Sequence, residues 1–217
     1  SSDLIQDLKT LTSKDISCQT AWIFARNIHM NKLTHLMRGT APRLLRPYAR
    51  AYQDKIIQAL GRKLGQNFTP AHVRRMQLPL DAGGLGLPII ESTCLAAYLA
   101  SSIQFLRTIK DEDITLSTED WQQTELFPLL QEWLTAAGES KHADCPPEPP
   151  DLLKYLIDLP TKRIEKLQDF LMIPLQKEYV RRYEAEEVPR MKPEDQQACS
   201  KKQKPISAPS QTLMLHS

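Results

Sequence analysis

Three of the seven glycines in this 217-residue chain, Gly83, Gly84 and Gly86, fall within four positions, and outside that run strand-like alternation is hard to find. A chain so poor in period-two patterning has little from which to build a sheet, so helices must supply the core. The fold class expected is mostly α: a helical bundle with one short hairpin at the Gly-Gly-Leu-Gly run, then a linker and a second set of helices. Leu78 and Leu80 alternate on one side of Asp81-Ala82-Gly83-Gly84, and Leu85 and Leu87 on the other. Glycine here permits positive φ and close backbone approach. Gly86 leaves an empty face between two leucines expected to be buried, where another element can sit.

The helices read as follows. Asp3 to Leu11 is the tail of an earlier helix. A helix from about Lys14 to Met30 is capped by Ser13 or Thr12, and a shorter turn covers Asn31 to Arg38, ended by Gly39. The clearest runs from Pro42 to Leu64, with a proline in its first turn and Gly65 as C-cap. Its inward face is Leu45, Tyr48, Ala49, Tyr52, Ile56, Ala59 and Leu60. Thr69-Pro70 opens a helix through Arg75, and another spans Ile90 to Ile109 with Leu95, Leu99, Ser102, Ile103 and Leu106 inward. Ser117 or Thr118 caps a helix through Ala136. Further helices cover Asp151 to Ile157, Thr161 to Met172 and Pro174 to Glu186.

These elements divide into a basic helical region with a trailing acidic helix (1–137), a proline-rich linker (138–150), a helical segment (151–186) and a mostly disordered tail (187–217). No apolar run exceeds the seven residues Cys94 to Ala100, too short for a membrane span. Cys18, Cys94, Cys145 and Cys199 lie far apart, as in a reduced protein of the nucleus or cytoplasm. The chain opens on Ser1-Ser2 with no basic-plus-apolar leader, as expected of a piece of something longer.

Charge is segregated. Between Arg26 and Arg75 eleven basic residues face a single acid, Asp54, whereas Asp111 to Pro150 holds ten acids against Lys141. Arg43, Arg46 and Arg50 share a face of the long helix, the footprint of a surface that tracks phosphates. Arg38, Arg62, Lys63, Arg74 and Arg75 extend it. The expected activity is sequence-tolerant, salt-dependent binding to nucleic acid. The alternative is that these arginines solvate one face and pair with the acidic region of the same fold, giving a helical protein-interaction module. Everything turns on whether the arginines of Pro42–Leu64 project together into solvent or are neutralised internally.

Catalytic constellations are missing from the sequence. Two-metal chemistry needs paired aspartates, but no two are adjacent, and Asp111-Glu112-Asp113 sits in a polar loop. His29 and His35 are six apart, and His72, His142 and His216 are isolated, without metal-ligand spacing. Cys94 precedes an apolar helix face and reads as a small buried hydrophobe. Gly83 to Gly86 is followed by Pro88-Ile89 and not by the Gly-Lys-Ser/Thr of a phosphate loop. Trp22, Trp121 and Trp133 lie on apolar helix faces, where packing outranks base stacking. No metal site and no cofactor is expected in this chain, and a hydrolase or transferase site assembled from dispersed residues has no support.

The run Leu78 to Leu87, followed by Ala96, Ala97, Tyr98 and Ser101, resembles the segment just downstream of the polymerase domain in reverse transcriptases of non-LTR retrotransposons. There a Leu-Pro-x-x-x-Gly-Gly-Leu-Gly stretch precedes a helix bearing Ala-Ala-Tyr/Phe-x-Ser. The stretch Lys32 to Leu45 and the position of Asp54 are also similar to that family. The likeness runs from about Ala21 to Leu106, is weaker from Leu152 to Glu184, and is slight around Pro193 to Ala198. It implies a thumb and post-thumb segment that grips a template–primer duplex, RNA–DNA or double-stranded nucleic acid, without catalysing. The parent would be an RNA-directed DNA polymerase using Mg²⁺, with the rest of that polyprotein as partner. Palm and fingers motifs and downstream Cys/His clusters are absent from this sequence.

Overall fold

The computed structural model describes residues 9–112, 125–187 and 189. The chain is mostly helical, and no strand occurs among the described residues. Its helices are α1 (Cys18–Phe24), α2 (Thr34–Gly39), α3 (Pro42–Leu64), α4 (Pro70–Gln77), α5 (Ile90–Asp111), α6 (Leu126–Ala137), α7 (Pro149–Ile157), α8 (Thr161–Ile164) and α9 (Leu167–Glu186). Among the described residues, none is long and apolar enough to cross a membrane.

Helix α5 organises the rest, touching α2, α3, α6, α7 and α9. Its sequence explains why. Ala96 and Ala97 are both fully buried, and with Ala100 they let neighbours approach from opposite sides. Cys94 and Ala97 face Met37 of α2 and Leu45 and Ala49 of α3. One residue on, Leu95, Leu99, Ile103 and Leu106 enter the largest cluster, shared with α6, α7 and α9. A helix apolar on most of its circumference must be central. A third cluster joins Ala21 and Ala25 to Ile56 and Leu60 of α3 and to Leu87.

Helix α3 matches its expected bounds. Gly65 adopts φ +64, its N–H donates to Arg62 O, and the Gln66 N–H donates to Gly61 O, a Schellman closure. Its buried arc centres on Leu45, Ala49, Gln53, Ile56 and Leu60, so Tyr48, expected inward, lies off its edge and is 76% exposed. Gln53, on the other side of the arc, is buried, its Nε2 donating to Pro88 O at 2.8 Å.

Several boundaries differ from expectation. The helix foreseen over Lys14–Met30 begins at Ser17, whose hydroxyl accepts from the Thr20 N–H, and widens after Phe24 into a π turn (Ala25–His29) and a 3-10 turn (Met30–Leu33). The linker foreseen at 138–150 does not separate two bodies. Cys145 is buried in the same cluster as α5, α6, α7 and α9, and Pro149 starts α7. Pro174, expected to begin a helix, lies inside α9. The expected Ser117/Thr118 cap, Trp121, Asp113, residues 1–8 and the tail from 190 onward lie outside the described residues.

The hairpin is corrected to a hydrogen-bonded loop. Gly86 N–H donates to Leu78 O at 2.9 Å, and Leu87 N–H to Met76 O at 2.9 Å. The donor that would return a bond to Gly86 is the Leu78 N–H, which is instead given to Arg75 O at the end of α4, and Gly83 and Gly86 take φ +78 and +67, so no ladder forms. Gly84 is needed for another reason: a Cβ there would lie 2.1 Å from Leu78 O. The element that fills the empty face of Gly86 is Arg26, whose Cζ would be 3.0 Å from a Cβ. Leu78 and Leu87 are buried, but Leu85, expected inside, is exposed.

Candidate nucleic-acid interface

The three arginines that share a face of α3 do not form an open furrow. Arg43 pairs with Glu125 and Arg46 with Glu132 (2.6 Å), both in the acidic region. Arg50 meets Glu91 of α5 at 2.5 Å. The internal neutralisation held open by the sequence therefore occurs at this end of α3. Arg46 is the most enclosed of the three, and its Nε is buried without an acceptor. Arg43 and Arg50 keep 70% and 58% of their side chains in solvent, where such pairs contribute about 0–1 kcal/mol.

Three further candidates also act as internal ties. Arg38 donates to the Gln168 side chain at 3.1 Å, fastening α2 to α9. Lys63 donates to Ser13 O, holding the end of α3 to the N-terminal segment. Arg74 pairs with Glu187, while the Tyr179 hydroxyl donates to Arg74 O (3.2 Å) and Gln77 Oε1 (2.9 Å).

Arg62 and Arg75 remain. Both are exposed, and neither guanidinium is tied to another described residue. Lys55 is likewise exposed and untied, and it precedes Arg62 by two helical turns on the outward face of α3. The expected eight-residue surface thus resolves into two ends. The N-terminal half of α3 is charge-paired, and the C-terminal half with α4 carries the uncommitted cations.

The structure adds residues that the sequence did not single out. Glu91, Glu125, Glu132 and Glu187 are the partners of the basic block, and only the net acidity around two of them gave a signal. Glu178 is a buried carboxylate, 2% exposed. It accepts from Arg181, Arg182 and Ser140. Those donors, Arg181 first, hold its pKa down at about 2. Burial pushes the Cys94 and Cys145 thiols up to about 11, so both stay protonated near neutral pH. Among the described residues no group of three or more His, Cys, Asp or Glu side chains could hold a metal ion.

Comparison of the chain with protein-family models, curated proteins and solved structures finds no match.

Proposed function

We propose that this chain is a non-catalytic nucleic-acid-binding segment that grips a template–primer duplex as part of a retroelement RNA-directed DNA polymerase. The observation that carries the binding role is that three exposed cations, Lys55 and Arg62 on α3 and Arg75 on α4, are tied to no other described residue. Cations with no carboxylate attached attract a polyanion without first breaking an internal bond. The polymerase context is supported by the resemblance of Leu78–Leu87 and Ala96–Ser101 to reverse transcriptases of non-LTR retrotransposons. The loop and α5 supply the scaffold in that reading: Gly84 and Gly86 close the loop, and Ala97 seats α5 against the helix that bears Lys55 and Arg62.

The test is an anisotropy titration of the whole chain with a labelled RNA–DNA hybrid in two unrelated sequences. Equal affinity for both is expected, with loss of about tenfold or more in Lys55→Ala/Arg62→Ala/Arg75→Ala. Arg43→Ala/Arg50→Ala should change affinity far less.

The pairs Arg43–Glu125, Arg46–Glu132 and Arg50–Glu91 favour a second reading, a helical protein-interaction module in which the basic block is consumed by its own fold. Undetectable binding to either hybrid would select it.

A further inference from the structure

At the untied basic end, a cleft of about 300 Å³ opens between the last turns of α3 and the segment leading to α4. Its walls are Ile57, Gln58, Arg62, Gln66, Asn67 and Phe68. The local sequence builds it. Gly61 lacks the Cβ that would lie 2.6 Å from Gln66 O, so the chain leaving the Schellman turn folds tightly back along α3. Thr69 then fixes the exit: its hydroxyl accepts from the His72 N–H, and His72 Nδ1 accepts from the Thr69 N–H. Phe68 packs edge-on against the His72 ring, centroids 6.4 Å apart. The caps at both ends fix the backbone of the cleft.

Its chemistry is selective. Three carboxamides offer donors and acceptors together, the combination that meets the edge of a nucleobase. Phe68 and Ile57 provide apolar surface for the base, and Arg62 supplies a cation for an adjoining phosphate. No carboxylate is among the lining residues. The volume is at the lower end of small-molecule sites, which run from about 300 to 1,000 Å³, and leaves room for one nucleoside.

We infer that this cleft receives a single unpaired nucleobase, with Gln58, Gln66 and Asn67 at its edge, Phe68 against the ring and Arg62 on its phosphate. The inference rests on the nucleic-acid reading above and narrows it: the segment senses where a duplex ends and a single strand begins.

The experiment compares the full chain binding a blunt RNA–DNA hybrid with the same hybrid carrying a short single-stranded overhang, of RNA or of DNA. The overhang should tighten binding about tenfold, the scale of one base stacked on an aromatic side chain. Asn67→Ala/Phe68→Leu should erase that preference and leave blunt binding intact. Gln58→Leu, at an exposed helical position, should weaken it without altering the fold. In parallel, adenosine monophosphate should shift the side-chain amide resonances of Gln58, Gln66 and Asn67, while inorganic phosphate at equal concentration should not. Equal affinity for both hybrids would overturn the inference and leave duplex binding standing. Failure of both hybrids with a surviving nucleotide response would overturn duplex binding and leave the cleft. Failure of every arm would overturn both.

Discussion

At the scale of single residues, two glycines and one carboxylate are fixed by their surroundings. A methyl group on Gly84 would collide with a backbone oxygen, and one on Gly86 would meet both the Arg26 guanidinium and a left-handed backbone. Gly84→Ala should therefore cost about 1–3 kcal/mol, visible as a lower Tm in calorimetry; an unchanged Tm would contradict the loop geometry. Glu178 gives a pH prediction. Its folded-state pKa, about 2, lies below the ordinary carboxylate value, so its contribution to stability is complete above about pH 5 and is lost as pH falls toward 2. Glu178→Gln should flatten stability across that window and cost about 1.5–3 kcal/mol at neutral pH, the range of a hydrogen bond to a charged group. Denaturant melts at several pH values check both. The glycine requirement was legible in the sequence, because only glycine tolerates such approaches. Glu178 was not, because nothing in LQKEYVRR marks one acid as buried beneath two arginines.

Among the elements, α3 was legible end to end because proline at its start and glycine after its end have separate mechanical causes. Residues 18–39 were not: the π turn after Phe24 interrupts an apolar pattern that reads as continuous. Pro174 shows the same limit. Lacking an N–H, it leaves the Phe170 carbonyl without its helical donor, which ought to break α9. His142 lies with Nε2 3.1 Å from that oxygen and its ring stacked on Phe170 at 4.0 Å, while Trp133 Nε1 donates to the adjacent Leu171 O at 2.9 Å. Donors from another part of the chain repair the break, and periodicity within α9 cannot reveal them. A double-mutant cycle tests this directly. His142→Phe should cost about 1–3 kcal/mol alone and clearly less in a Pro174→Ala background, where the helix supplies its own N–H. Equal costs in both backgrounds would refute the repair.

Across the whole molecule, the two helical sets expected on either side of residues 138–150 share one core through α5, α6, α7 and α9. Proline-rich composition gave the expectation of a spacer, but Cys145 anchors the segment inside and its prolines start a helix. Unfolding of the helices around α5 should be a single calorimetric transition, and two separated transitions would mean that the cluster is divided. The charge pattern was legible as an excess, not as a map. Composition cannot tell that Arg43, Arg46 and Arg50 meet glutamates from α5 and from the segment at α6, leaving the uncommitted cations at the far end of α3. The most direct measurement is therefore the salt dependence of hybrid binding by the whole chain and by its Lys55→Ala/Arg62→Ala/Arg75→Ala variant. A linear fall of log affinity with log salt is expected, with the variant losing about 2–3 in slope, close to one per phosphate contact removed. A slope identical in both proteins, or an affinity flat with salt, would contradict the assignment of this basic end to nucleic acid.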